Sequence, residues 1–143
     1  MACRPRTLHH SAFPPERVAA ERDATVSVCL PARDEAATIE RVLAALLPLL
    51  EQGAIDQLVV ADESTDGTGE IARRLGAEVV RQSSIRPELG PVQGKGDAMW
   101  RALHVLRGDV ICFLDADSED LGPHFASALA GPVACGGPDG GAV

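Results

Sequence analysis

The chain has 143 residues, of which 45% are apolar and only 3% aromatic, so it can form one domain whose core is built mostly from aliphatic side chains. Its formal net charge of −8 argues against non-specific binding to nucleic acid or to an anionic membrane, since neither attracts an acidic surface. The sequence shows no secretory signal and no apolar run near the roughly 18 residues that a membrane span requires, and we therefore expect a soluble, cytoplasmic protein.

The first regular pattern follows a polar N-terminal segment. Residues 1–24 are charged and lack the periodicity of a helix or a strand, which predicts a mobile tail or a packed arm. TVSVCL, residues 25–30, is typical of a buried strand. Apolar residues then recur at helical spacing from Ile39 to Leu50, which predicts a helix. Asp34, in the connecting PARDE segment, is the expected N-cap of that helix.

The rest of the chain alternates strands with helices. Further strands are predicted at 55–62, 77–81 and 109–117, with helices between them at 69–75 and from Met99 to Leu106. Short connections between these elements imply right-handed crossovers and a mainly parallel sheet with helices on both faces. The domain is predicted to span 25–130, and the Gly/Pro-rich residues 131–143 are expected to be an irregular tail.

The four cysteines form no Cys-x-x-Cys pair and show no zinc-like spacing with the four histidines. Cys29 and Cys112 lie inside predicted strands. We expect both to be buried, reduced thiols, which agrees with a cytoplasmic protein.

Polar motifs lie at one edge of the predicted sheet. PARDE (31–35) and DESTD (62–66) follow the first two strands, DAD (115–117) ends the fourth strand, and GKG (94–96) opens a helix. In open parallel sheets, ligands bind beyond the carboxyl ends of the strands. We therefore expect the four motifs to converge on one site, where Asp62 can accept a hydrogen bond from a base N–H or a ribose hydroxyl.

The DAD motif suits a divalent cation. Side chains two residues apart in an extended segment point to the same side, so Asp115 and Asp117 can face one target. Mg²⁺ and Mn²⁺ prefer oxygen ligands, and Mg²⁺ usually takes one or two carboxylates together with water and substrate phosphates. The alternative is an acidic loop that is merely exposed to solvent.

The GKG motif suits an anion. Lys95 stands between two glycines at a helix start, where backbone N–H groups and the helix dipole favour negative charge. The segment is not a Walker A motif, because Gly96 stands where a metal-binding Ser or Thr is required. The alternative is a solvated lysine in a Gly-rich turn.

Four segments together resemble the nucleotide-binding half of GT-A glycosyltransferases: VSVCLPARDEAATIERVLAAL, VVADESTDGTGEIARRLGA, GKGDAMWRAL and ICFLDADSED. The resemblance runs from about residue 25 to residue 132 and is greatest to glycosyltransferase family 81, the glucosyl-3-phosphoglycerate synthases. Its specific part is PVQGKGDAMWRAL, since D-x-D and S-T-D-G-T occur in many sugar transferases. The resemblance implies an α/β fold of the GT-A, Rossmann-like type in truncated form.

The same resemblance implies an activity and a set of site residues. Members of the family transfer glucose, with retention, from a nucleoside diphosphate glucose, typically UDP-glucose, to the 2-hydroxyl of 3-phosphoglycerate with Mg²⁺ or Mn²⁺. They often form dimers, which implies a homodimer. By motif, Asp117 would hold the metal, and the nucleotide sugar would be bound by Pro31, Ala32, Arg33, Glu35, Asp62, Gly94, Lys95, Asp115 and Ala116.

Two features depart from the family pattern. Glu63 stands where the family usually has a glycine, which places a charge beside the expected base pocket. Only 26 residues follow Asp117, whereas a further domain needs on the order of 100 residues. The acceptor-binding half and its catalytic residues are therefore expected to be absent, and we expect this chain to bind nucleotide with weak or no transferase activity.

Other classes of protein share parts of this pattern. A haloacid-dehalogenase-type phosphatase also ends an apolar strand in D-x-D, with the first Asp as nucleophile. Two residues after the second Asp, however, this chain has Glu119 where such a phosphatase usually has Thr or Val. A sugar nucleotidyltransferase would show a Gly-rich G-x-G-T-R run after the first strand, whereas this chain has PARDEAA at that place. Two alternatives stay open: another family 2-like GT-A glycosyltransferase with a lipid-phosphate or polysaccharide acceptor, and a truncated, non-catalytic nucleotide-binding fragment.

Overall fold

The computed structural model describes residues 7–136, in which strands alternate with helices. The helices are α1 (Pro15–Glu21), α2 (Ile39–Glu51), α3 (Thr68–Leu75), α4 (Gly94–Ala102) and α5 (Pro123–Ala134). The strands are β1 (Val26–Ala32), β2 (Gln57–Asp62), β3 (Glu78–Arg81) and β4 (Val110–Phe113). Short 3₁₀ turns lie at His10–Ala12, Gln82–Ser84 and Pro87–Leu89.

Within residues 7–136, the four strands form one parallel sheet in the order β3-β2-β1-β4. In β1, Val28 lies opposite Leu58 of β2 and Cys112 of β4. The inner strands are nearly continuous apolar runs because parallel sheets are covered on both faces. The predicted parallel α/β sheet is confirmed, and its strands all end at one edge.

Helices cover both faces of this sheet. Neighbouring residues of β1 point to opposite faces, so Val28 and Leu30 pack in the main core with α1, α2, α3 and α5. Cys29 packs on the other face with Ala102 of α4. Helix α2 places five fully buried apolar residues in the main core, all on one of its faces: Ile39, Val42, Leu43, Leu46 and Leu49.

The N-terminal segment is a packed arm over residues 7–24. Phe13 and Val18 of this arm are buried in the main core. Gly131 of α5 allows the close approach, since a Cβ at that position would lie 2.6 Å from Cδ1 of Phe13. Of the two predictions for residues 1–24, the structure shows the packed arm in the residues it describes.

Helix α5 continues through Ala134, so residues 131–134, which were predicted to belong to an irregular tail, are helical instead. Buried alanines spaced four residues apart form one face of this helix, and their packing outweighs the poor helix propensity of Gly131 and Pro132. Residues 137–143 of the predicted tail lie outside the described part of the chain.

Strand β4 is shorter than the predicted strand 109–117. Its ladder with β1 ends where the Leu114 N–H donates to the Cys29 carbonyl at 3.0 Å. The DAD motif therefore lies in a turn beyond the strand rather than within it.

Cys29 and Cys112 are buried, unpaired thiols in β1 and β4, as predicted. Burial raises the pKa of Cys29 to about 12 and that of Cys112 to about 11, so both thiols stay protonated at neutral pH. None of the helices described between residues 7 and 136 has both the length and the apolar character that crossing a membrane would take.

Candidate functional site

A cleft of about 320 Å³ opens beyond the carboxyl ends of β1 and β4. Nine of the ten residues predicted to bind the nucleotide sugar or the metal line this cleft. They are Pro31, Ala32, Arg33, Glu35, Gly94, Lys95, Asp115, Ala116 and Asp117. Four residues not predicted for the site complete the lining: Glu63, Gln82, Val92 and Ala98. The sequence motifs therefore converge on one cleft, as the parallel sheet requires.

The turn after β1 is held by the turn after β2. The Asp34 N–H donates to Ser64 Oγ at 2.8 Å, and the Thr65 N–H donates to Asp34 Oδ1 at 2.8 Å. Asp34 adopts a left-handed backbone with φ of 57°, which Asp tolerates better than most residues. The prediction that Asp34 caps α2 is wrong, because the helix begins at Ile39 and no side chain caps it. Arg33 and Glu35, on either side of Asp34, therefore line the cleft from a turn that these hydrogen bonds hold in place.

Asp62 is the one predicted residue that the structure does not bring into the cleft wall. It is buried at the end of β2, where its Oδ1 accepts a hydrogen bond from the Ser64 N–H at 3.1 Å. Its Oδ2 lies against Gly69 of α3, and a Cβ at Gly69 would lie 2.5 Å from that oxygen. The missing side chain at Gly69 gives the carboxylate this space. A role for Asp62 in nucleotide binding stays a prediction.

Glu63 lies in the cleft wall next to Asp62. Its Oε2 accepts a hydrogen bond from the Ser83 N–H at 2.8 Å, and its Oε1 lies 3.3 Å from Nη2 of Arg81. The negative charge of Glu63, which departs from the family pattern, is therefore partly balanced by Arg81 at the end of β3 and by the Ser83 N–H just beyond it.

Glu35 and Asp117 make one side of the cleft acidic. Partial burial raises the pKa of Glu35, and the negative charges of Asp117 and Asp66 raise it further. This concentration of negative charge favours a bound cation. Within residues 7–136, no three His, Cys, Asp or Glu side chains are arranged to hold a metal by themselves. A divalent ion at Asp117 therefore fits only with further ligands from water and a phosphate group, as is usual for Mg²⁺.

The DAD turn is positioned from two directions. Thr38 Oγ1 donates to the Ala116 carbonyl at 2.8 Å, which fixes the turn against the start of α2. On the other side, the Lys95 ammonium forms an ion pair with the Asp115 carboxylate. Both charged groups are exposed and separate this cleft from a neighbouring cleft of about 570 Å³. Asp115 and Asp117 line the same cleft, and the expectation that their two carboxylates face one target stays a prediction.

Arg101 is a buried cation that the sequence analysis did not single out. It is 1% exposed, and its guanidinium donates to Asp97 Oδ1 at 3.1 Å, to the Ile85 carbonyl at 3.1 Å and to the Gly90 carbonyl at 2.9 Å. These bonds tie the loop 82–93 to α4, and this loop contributes two residues to the cleft wall. In the sequence, the available signal was an arginine beside Ala102 and three residues after Ala98, the two alanines that α4 buries.

Comparison with known proteins finds similarity to glycosyltransferases, the class of enzyme that the sequence motifs resemble. The family model described as "Glycosyl transferase family 2" matches residues 27–130. A glucosyl-3-phosphoglycerate synthase of Mycolicibacterium smegmatis is 43% identical over 116 residues, which make up 80% of this chain and 38% of that relative. The chain therefore spans about two fifths of the length of such relatives.

Solved structures share the fold. The mannosyl-3-phosphoglycerate synthase of Rubrobacter xylanophilus superposes with a TM-score of 0.82 at 41% identity, over 87% of this chain and 42% of that chain. A glucosyl-3-phosphoglycerate synthase of Mycobacterium tuberculosis in complex with Mn²⁺, UDP-glucose and phosphoglyceric acid superposes with a TM-score of 0.80 at 40% identity, over 90% of this chain and 46% of that chain. The predicted GT-A, Rossmann-like fold is confirmed.

Proposed function

We propose, since this chain belongs to glycosyl transferase family 2, that it forms the donor-binding half of an enzyme that transfers glucose from UDP-glucose to the 2-hydroxyl of 3-phosphoglycerate with retention. The cleft that collects nine of the ten predicted residues carries this proposal. The complex of the Mycobacterium tuberculosis relative with UDP-glucose and phosphoglyceric acid supports the same substrate classes. The complete reaction is proposed for a protein that also contains an acceptor-binding half.

The donor would be held from three sides of the cleft. The backbone and side chains of Pro31, Ala32 and Arg33 would contact the base and ribose, beside the buried Asp62. Lys95, at the start of α4, would contact the diphosphate, because its ammonium and the helix N-terminus both favour an anion. Gly94 lets the diphosphate approach the backbone there. Asp115 and the backbone of Ala116 would contact the ribose and sugar.

A divalent ion, Mg²⁺ or Mn²⁺, would bind at Asp117 together with the diphosphate. Such an ion balances the negative charge that gathers on a leaving nucleoside diphosphate. The raised pKa of Glu35 supports this placement, since the same side of the cleft already concentrates carboxylates. The Mn²⁺ in the relative's complex supports the choice of metal.

We also infer a cytoplasmic enzyme of small-molecule metabolism that does not bind nucleic acid. The net charge of −8 opposes binding to a phosphate backbone, and buried free thiols suit a reducing compartment. A homodimer belongs to the proposal, and light scattering during size-exclusion chromatography tests it.

Calorimetry of the chain with UDP, UDP-glucose and GDP-mannose, each with and without Mn²⁺, tests the donor-binding proposal. We expect UDP and UDP-glucose to bind more tightly when Mn²⁺ is present. The Asp117→Asn variant should lose most of this metal-dependent gain. The Asp120→Asn variant is the matched control, because Asp120 is an exposed carboxylate of the neighbouring cleft only.

Three results would contradict the proposal in different ways. Absence of metal-dependent nucleotide binding would exclude a donor half of this type. If Mn²⁺ increased nucleotide affinity equally in the wild type and in Asp117→Asn, the metal would have to bind at a residue other than Asp117. Preference for GDP-mannose over UDP-glucose would favour another family 2-like transferase. Transfer to 3-phosphoglycerate is then measured with the chain and with a longer relative side by side.

A further inference from the structure

Gln82 lies at the bottom of the cleft, where β1 and β2 end. It follows β3 directly, and it is buried with 5% of its surface exposed. Its Nε2 donates to the Ala61 carbonyl at 2.7 Å and to the Ala32 carbonyl at 3.4 Å. The carboxamide therefore bridges the ends of the two central strands while its residue lines the cleft.

These two bonds fix the direction of the carboxamide. A primary amide nitrogen has two hydrogens, and both are directed at backbone carbonyls here. The reverse orientation would place the Gln82 oxygen against two carbonyl oxygens, which repel it. Gln82 therefore turns its nitrogen to the strands and keeps Oε1 as a hydrogen-bond acceptor.

The acceptor is open to the cleft. Among the described residues, Gln82 Oε1 has no hydrogen-bond partner, yet no fully buried side-chain nitrogen or oxygen of residues 7–136 is left without one. Oε1 is therefore not fully buried, and the open space that Gln82 lines is the cleft. The neighbouring acceptor, Glu63, already receives the Ser83 N–H and pairs with Arg81.

The two ends of the cleft differ in chemistry. Lys95 and Asp115 form the end that adjoins the cleft beside β4 and α5. Arg33 and Glu63 form the end that adjoins a cleft beside the loop 82–93. Gln82 begins this loop, and the next residue, Ser83, lines that second cleft and donates to Glu63, so Gln82 lies towards the same end. A nucleoside diphosphate whose phosphates contact Lys95 thus directs its base towards Gln82.

We propose that Gln82 determines base specificity, with its Oε1 accepting a hydrogen bond from the N3–H of uracil. This inference rests on the proposed function, in which the cleft binds a nucleoside diphosphate sugar. Uracil presents N3–H between two carbonyl groups, whereas cytosine has an unprotonated N3 that would face the Gln82 oxygen as a second acceptor. A buried acceptor left without a donor weakens binding by about tenfold or more.

Calorimetry with UDP, CDP and N3-methyl-UDP in the presence of Mn²⁺ tests this role. The wild-type chain should bind UDP at least about tenfold more tightly than either analogue. In the Gln82→Met variant, the preference for UDP over CDP should disappear, because UDP loses its acceptor and CDP no longer leaves a buried acceptor without a donor. The Gln52→Met variant is the control, since Gln52 is an exposed residue at the end of α2, away from the cleft.

The outcomes separate this inference from the function on which it rests. A Gln82→Met variant that keeps the wild-type ratio of UDP to CDP affinity would overturn the base-reading role alone. Equal binding of UDP and N3-methyl-UDP by the wild-type chain would also overturn the base-reading role. This measurement uses no substituted protein, so it remains decisive even if the variant fails to fold. A wild-type chain that binds no nucleotide would overturn the proposed donor site and the role of Gln82 with it.

Discussion

Lys95, the only lysine in the sequence, forms an ion pair with Asp115 in the wall of the candidate cleft. Both side chains are exposed, so the pair contributes at most about 1 kcal/mol to stability. A phosphate group could replace the carboxylate as the partner of Lys95 at little cost, since the start of α4 also favours an anion. The pair therefore holds the ammonium in the cleft until a ligand binds.

The Lys95→Met variant is expected to bind UDP about tenfold more weakly with an unchanged free energy of unfolding, because it loses one charge-assisted contact and an exposed ion pair. Calorimetry and urea denaturation measure the two quantities. Arg107→Met is the matched control, since Arg107 is an exposed cation that pairs with Glu78 at the amino ends of the strands. Wild-type UDP affinity in Lys95→Met would exclude a phosphate contact.

The fold and most of the cleft could be predicted because both depend on local patterns. Strand β1 is an apolar run that ends within PARDE, and parallel strands bring their ends to one edge, so the convergence of the motifs follows from chain position, while the resemblance to the family supplied the individual site residues. The direction in which a side chain points, in contrast, depends on contacts with distant parts of the chain. Asp62 turns towards Gly69 in the following helix, and Asp34 binds Thr65, 31 residues away.

The residues missed by the sequence analysis show the same limit. Gln82 bonds to carbonyls 21 and 50 residues earlier in the chain, and Arg101 bonds to carbonyls in an irregular loop 11 and 16 residues earlier. Neither segment has a periodicity that would identify its partner. Such polar contacts are settled by tertiary packing, which a single sequence does not specify.

Asp56 makes the stability of the N-terminal arm depend on pH. Its carboxylate accepts hydrogen bonds from Arg22 at 2.5 and 2.9 Å and from the Val26 N–H at 2.7 Å. The Arg22 guanidinium, more than any other group, holds the pKa of Asp56 below its ordinary value. Because the folded pKa is the lower one, this stabilisation is present above the unfolded pKa of about 4 and is lost as the pH falls through the folded pKa.

The Asp56→Asn variant should therefore lower the free energy of unfolding by about 1 kcal/mol at pH 7, a value that allows for solvent screening of a partly exposed group. The difference from the wild type should shrink as the pH falls below about 4. Urea denaturation across this range measures both, with Asp120→Asn as a control that lacks a hydrogen-bond partner among residues 7–136. A difference that stays constant with pH would contradict the role of the ionised Asp56.

Gly131 is predicted to be required for docking of the N-terminal arm. Alanine is the better helix former by about 1 kcal/mol, yet Gly131→Ala should destabilise the protein by about 1–3 kcal/mol, because the new Cβ would meet the Phe13 ring at 2.6 Å. Thermal or urea denaturation measures the change. In a Phe13→Ala background the same substitution should become neutral or stabilising, and an equal penalty in both backgrounds would show that the arm does not pack there.

Arg101 is expected to be the largest single polar contribution to the order of the loop 82–93. Arg101→Met should lower the free energy of unfolding by about 3–5 kcal/mol, because it leaves the Ile85 and Gly90 carbonyls and Asp97 without their buried partner.

Arg101→Lys should recover only part of this loss, since one ammonium cannot reach carbonyls that the planar guanidinium spans. Urea denaturation gives the stability, and hydrogen exchange of the amides in 82–93 should rise far more in Arg101→Met than elsewhere in the sheet. Arg107→Met provides the comparison for loss of an arginine charge at an exposed site. Unchanged exchange in the loop would mean that the loop holds its place without Arg101, and the cleft wall it supplies would then have to be stabilised from β3 alone.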